Sequence, residues 1–169
     1  QGDRVVYTLS TPDIQANKNR TAILTIGIDG TRRKRLTTGQ ESEVEPTFIA
    51  DGKRIAFLKG GDLWTMDCEG QDRKQLSKTG DIEGCKFSPD GKEVAFLENR
   101  TTLRVINLKS KKVRTVLDGK FNYSYSDGDQ SFEWSPDSRY ILCNYQANGG
   151  WNNEDVAVID VESGEITDL

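Results

Sequence analysis

The sequence predicts an all-β fold: a β-propeller region of about four four-stranded antiparallel blades, partial or truncated. Three observations predict it. An apolar strand with a polar turn recurs four times, a strand–turn–strand motif precedes three of the copies, and successive copies start about 40 residues apart, the length of one blade.

The first motif reads ILTIGIDG at 23–30, LWTMDCEG at 63–70, LRVINLKS at 103–110 and VAVIDVES at 156–163. Six residues past the end of each copy stands Leu36, Leu76, Val116 or Leu169, an offset that chance alignment does not hold. The second motif reads FIADGKRIAFL at 48–58, FSPDGKEVAFL at 87–97 and WSPDSRYILCN at 134–144. In it an aromatic-ended strand enters a tight turn. Pro presets φ there, Asp bonds back to the turn backbone and Gly accepts positive φ. Ser138 replaces Gly in the last copy, which predicts a different turn type.

Each unit is therefore strand A, turn, strand B, loop, strand C, turn, strand D. Ile26, Met66 and Ile106 are spaced by 40 residues, whereas Ile106 to Ile159 is 53, so one repeat carries insertions. Strands B and C are apolar at nearly every position, as in blades covered on both faces. The blades fall approximately at 1–38, 43–78, 82–118 and 130–169 of a single propeller region, 1–169. The first opens directly on strand B at Val5-Val6-Tyr7 and lacks strand A. That open edge predicts self-association or an incomplete ring. The chain is accordingly expected to be cut from a longer propeller or to close with a second copy.

Composition excludes several functions. Lys and Arg number 23 and Asp and Glu 27, a net charge of −4, which argues against a nucleic-acid partner. The basic run at 32–35 reads as a solvated edge strand whose charge discourages edge pairing. With no histidine, the commonest general base and zinc ligand are missing. Cys68, Cys85 and Cys143 lie in apolar strand patterns without CxxC spacing, as small buried hydrophobes do. Trp64 reads as core packing between blades. No apolar run reaches the roughly 18 residues of a membrane span, no signal-peptide pattern occurs in the chain, and neither a cofactor nor a metal site is expected.

In such a meander the A–B and C–D turns share one end, and the B–C and D–A loops share the other. The long segments, 9–21, 118–130 and 146–155, all belong to the second class. Variable loops on one end of a rigid scaffold carry function. Two of them bring together Tyr123, Tyr125, Asp127 and Asp129 with Trp151, Asn152 and Asn153. Aromatics beside Asp and Asn suit contact with a peptide or a small ligand; packing of the loops onto their own blade is the structural alternative. The spacing of Asp127 and Asp129 lacks the terminal Glu of a calcium loop.

Through FSPDGKEVAF (87–96) and WSPDSRYILC (134–143) the repeats resemble the TolB-like propeller family, over the whole chain. The segment from Phe121 into 134–137, with YSYSDGDQ at 123–130, is similar to the propellers of tricorn-type serine proteases and their bacterial homologues. That resemblance implies a periplasmic or cell-envelope protein whose propeller guides or gates peptides for PDZ and peptidase domains outside this chain. The chain itself would then be non-catalytic. Alternatives are a TolB-type protein-interaction module, a propeller over a hydrolase of the prolyl-oligopeptidase type, and a propeller hydrolase or lyase with a rim site.

Overall fold

In a computed structural model the described residues, 2–49, 52–118, 131–145 and 155–169, form four antiparallel sheets and no helix. The chain divides into two compact units, Gln1–Ile82 and Glu83–Leu169.

The first unit opens with a three-stranded sheet of β1 (Arg4–Asp13), β2 (Lys18–Gly27) and β3 (Lys34–Arg35), in that order. Among the described residues this sheet has three strands, and the basic residues of β3 are exposed at an edge. A four-stranded sheet follows: β4 (Glu43–Ile49), β5 (Arg54–Lys59), β6 (Asp62–Asp67) and β7 (Lys74–Gln75). The third sheet starts at the unit boundary with β8 (Ile82–Phe87) and continues through β9 (Glu93–Glu98), β10 (Thr102–Asn107) and β11 (Val113–Leu117). The fourth is β12 (Phe132–Trp134), β13 (Tyr140–Tyr145), β14 (Asp155–Asp160) and β15 (Ile166–Asp168). Each is a meander of sequential neighbours, as the motifs predict.

Burial follows from the apolar B and C strands. In the first unit Ile23 and Leu36 of the first sheet meet Ile55, Phe57 and Met66 of the second, with Trp64 and Cys68 packed alongside. In the second unit Ala95, Leu97, Leu103 and Val105 meet Ile141, Cys143, Ala157 and Ile159. Fully burying one large aliphatic side chain contributes about 1.5–3 kcal/mol, so these seams hold the sheets together. Cys143 is buried, while Cys68 and Cys85 are only half-buried.

Two expectations are corrected. Residues 9–21 are not a loop. β1 and β2 pair continuously from Arg4↔Gly27 to Asp13↔Lys18, leaving a four-residue turn. That turn is clamped by Asp13, whose Oδ1 accepts from the Ala16 amide at 3.0 Å and whose Oδ2 accepts from Arg20 Nε at 2.6 Å. Alternating Thr and Ser hid the strand, because polar β-formers give no amphipathic contrast outside a core. Pro12 is tolerated because β1 is an edge strand. Second, the turn at Ser138 is of the same kind as its homologues. Ser138 adopts φ +63°, Gly91 +69° and Gly52 +80°. The Ser138 amide donates to Ser135 O at 2.9 Å, as Gly91 does to Ser88 O at 2.8 Å.

The C–D turns show how one sequence difference is absorbed. Asp67, Asn107 and Asp160 each cap their turn, Oδ1 accepting two backbone amides. The first copy has Gly27 instead. A Cβ there would lie 2.5 Å from Asp29 Oδ1, which occupies the capping place and accepts from the Thr31 amide at 3.0 Å.

Candidate functional site

Within the second unit, a cleft of about 580 Å³ opens where the short A–B and C–D turns of the third and fourth sheets gather. That size is within the roughly 300–1,000 Å³ of small-ligand sites. Asp90 and Glu93 come from the turn after β8 and the start of β9. Lys112 and Arg114 come from the β10–β11 turn and β11. Asp137, Ser138 and Arg139 come from the β12–β13 turn, and Val161 and Glu162 from the β14–β15 turn.

Its floor is a closed polar lattice. Arg114 donates from both terminal nitrogens to Glu93, Nη1 to Oε1 at 2.8 Å and Nη2 to Oε2 at 2.7 Å, and from Nε to Val161 O at 3.0 Å. One guanidinium thus ties the third sheet to the fourth in the bidentate geometry that suits arginine. That hydrogen-bonded guanidinium holds the Glu93 carboxyl below the usual carboxylate range, against the opposing effect of burial. At the lip, Ser138 Oγ accepts from the Asp90 amide at 3.0 Å. Arg139 donates to Asp160 Oδ2 from Nε at 3.0 Å and lies over the Tyr140 ring at 5.0 Å. Asp160 is held low first by the Ser163 amide, and Asp137 first by the Ser135 hydroxyl.

The Ser–Asp pairs, Ser88 with Asp90 and Ser135 with Asp137, are spent inside their turns, where each serine also bonds the strand that leaves. Lys112 and Glu162 present side chains of opposite sign to the cleft, and the Ser138 hydroxyl keeps its proton to donate. Little along the chain foretells this cleft. Glu93 and Arg114 stand 21 residues apart, and the one local signal was Ser138 in a glycine position.

Tyr123, Tyr125, Asp127 and Asp129, and Trp151, Asn152 and Asn153, lie outside the described residues. Their roots do not. Phe132 begins β12 beside Cys143, the Asn144 amide donates to Ser131 O at 3.4 Å, and Tyr145 pairs with Asp155. Both insertions therefore leave from one end of the fourth sheet, opposite the turn-lined cleft. Among the described residues no three His, Cys, Asp or Glu side chains are grouped to hold a metal ion, and no helix is long and apolar enough to cross a membrane.

No family model matches the chain. Over 100 residues, 56% of the chain, it is 39% identical to a segment making up 14% of dipeptidyl-peptidase 5 of Porphyromonas endodontalis. Over 103 residues, 58% of the chain, it is 43% identical to a segment making up 15% of dipeptidyl-peptidase 5 of Porphyromonas gingivalis. The chain thus spans about one seventh of the length of the curated relatives it matches. Among solved structures, TolB from Acinetobacter baumannii superposes with TM-score 0.69 at 19% identity, over 99% of this chain and 41% of TolB. The β-propeller domain of the Trilobed protease from Pyrococcus furiosus gives 0.69 at 17%, over 100% of this chain and 54% of that domain. Pyrococcus horikoshii acylaminoacyl peptidase gives 0.72 at 16%, over 100% of this chain and 31% of the peptidase. At these identities the likeness is one of fold, and the fold is a TolB-like β-propeller, here in partial form.

Proposed function

We propose that this chain is the non-catalytic propeller segment of a bacterial envelope peptidase, and that it binds or gates peptides through the long-loop end. The observation that carries this reading is the 39% and 43% identity to segments of two dipeptidyl-peptidases 5, each over about 100 residues. The fold is shared more widely, so it adds no substrate by itself. Within the segment, Tyr123, Tyr125 and Trp151 supply rigid aromatic surface and Asp127, Asp129, Asn152 and Asn153 supply polar contacts, the mixture that recognises extended peptide. PDZ and peptidase domains would lie elsewhere in the same polypeptide.

Release of dipeptides from fluorogenic peptides tests this. The full-length protein is expected to cleave them and residues 1–169 alone to be inert. Combined Tyr123→Ala and Trp151→Ala substitution in the full-length protein raises KM with kcat unchanged, because uniform binding is what it removes. Hydrolysis by residues 1–169 alone, or an unchanged KM, would sink the proposal.

A further inference from the structure

The two units carry the same seam with different charges. In the first, Glu69 of the second sheet is paired with Lys34 of the first sheet and with Arg4 Nη1 at 3.7 Å. Beside them Arg32 Nη1 meets Asp3 Oδ2 at 3.2 Å. In the second unit the repeat places Glu162 at the position of Glu69, Arg114 at that of Lys34 and Lys112 at that of Arg32. Glu93 takes the position of Arg4, for it faces Asn107 as Arg4 faces Gly27. Lys92 takes that of Asp3, its carbonyl accepting from the Leu108 amide as Asp3 O accepts from Ile28. Asp3-Arg4 is thus replaced by Lys92-Glu93, a reversal of both charges. Glu93 now holds Arg114, so Arg114 is not spent on Glu162. Lys92 cannot pair with Lys112 and meets Asp90 Oδ2 instead, at 2.9 Å. Among the described residues Lys112 and Glu162 make no ion pair, and both line the cleft of about 580 Å³. Arg139 and Asp137 are already engaged, the first with Asp160 and the second with the Ser135 hydroxyl and the Arg139 amide.

We propose that this cleft binds a small zwitterion, a short peptide with both ends free, its ammonium toward Glu162 and its carboxylate toward Lys112 and the Ser138 hydroxyl. Charge selects the class. A simple anion meets Lys112 but is repelled by Glu162, and a simple cation meets the reverse; a zwitterion is attracted by both. Lys112 comes from the β10–β11 turn and Glu162 from the β14–β15 turn, so a ligand charged at its two ends spans the seam. The floor of Glu93, Arg114 and Val161 O is already hydrogen-bonded, so binding needs little further ordering. Ser138 keeps a hydroxyl at φ +63°, where the homologous turns have Gly91 and Gly52. That hydroxyl accepts from the Asp90 amide and has its proton free for the ligand. Among the described lining residues only Val161 is apolar, which favours a peptide with small or polar side chains. The site lies at the short-turn end, away from the insertions of the fourth sheet, and stands whether or not the chain serves a peptidase.

Calorimetric titration of the full-length protein with glycylglycine tests this, beside N-acetylglycylglycine and glycylglycine amide, which each lack one charge. Glycylglycine is expected to bind, and each capped form to bind at least about tenfold more weakly, the worth of one hydrogen bond to a charged group. Lys112→Met and Glu162→Gln are each expected to weaken glycylglycine to the same degree. Lys112→Glu combined with Glu162→Lys is expected to restore most of the affinity, since the zwitterion can turn round. Both side chains are exposed, and unchanged melting temperatures check that the variants fold. Binding elsewhere in the polypeptide survives these substitutions and is not mistaken for the cleft. No binding, equal binding of the capped forms, or wild-type affinity in either single variant overturns the proposal. Peptide hydrolysis by the same preparations is read separately, and its absence beside intact glycylglycine binding rejects only the peptidase reading.

Discussion

The third and fourth sheets carry the same repeat, yet the same two strands meet different surroundings in each. Leu103 in β10 is fully buried against the fourth sheet; Val156, its counterpart in β14, is 40% exposed. What differs is whether a neighbour covers the face, since the apolar pattern is present in both. Burial is therefore a property of the array rather than of the single blade.

The largest effect expected from this comparison is on stability. In residues 1–169, Leu103→Ala should cost roughly 2–5 kcal/mol, the usual range for emptying a packed leucine site. Val156→Ala should cost less than about 0.5 kcal/mol, as at exposed positions. Urea unfolding with equal m-values reads both. Equal losses would erase the distinction, and a larger loss at Val156 in the full-length protein would sharpen it.

Thiol labelling reads the two faces of one strand. Burial pushes the Cys143 thiol up to about 12, so at pH 8 it is almost wholly protonated as well as covered. Leu142→Cys in a Cys143→Ala background points to the other side. In residues 1–169 alone it should label at least about 100-fold faster, since the thiolate is the reactive form. Similar rates would show that the covered face opens readily.

Arg114→Ala comes next, at about 1–3 kcal/mol for hydrogen bonds to a charged group that leave Glu93 unpaired. Its pH dependence has a definite sign. The Glu93 carboxyl is depressed when folded, so the pair contributes fully at neutral pH and fades as pH falls below the usual carboxylate range of about 4.3. Thermal melts of the wild type should therefore lose more stability on acidification than melts of Arg114→Ala. Parallel acid profiles would remove the pair from the seam. The smallest change is Ser138→Gly. Relief of the left-handed backbone, worth about 1 kcal/mol, opposes loss of a hydrogen bond of similar worth. The net shift should stay within about 0.5 kcal/mol, whereas Gly91→Ser in the homologous turn, without that hydrogen bond, should cost about 1 kcal/mol.

Much of the fold was legible because its signals are local. The aromatic end of strand A, the tight turn around Asp51, Asp90 or Asp137 and the apolar run of strand B lie within a dozen residues, and three of the repeats carry them. Where polar residues replace the apolar run, as in Ser10-Thr11 and Asn19-Arg20-Thr21, the far halves of the first hairpin's strands leave no such signal. The insertions of the fourth repeat were legible as length and composition, and their described roots lie at one end of the fourth sheet. The turn-lined cleft was not, because it joins Glu93, Arg114 and Val161 across two sheets, and no residue in that set is unusual within its own strand.

The repeat, its four-strand order and the lack of any histidine can be read along the chain alone. These depend on period, turn chemistry and composition, which act over a few residues. Only the tertiary structure decided which face of each sheet is covered, why serine is held at a glycine position, and where charges meet to form a cleft. Those outcomes depend on neighbours brought from other sheets, and burial and hydrogen bonding between sheets leave no mark on the spacing of residues along the chain.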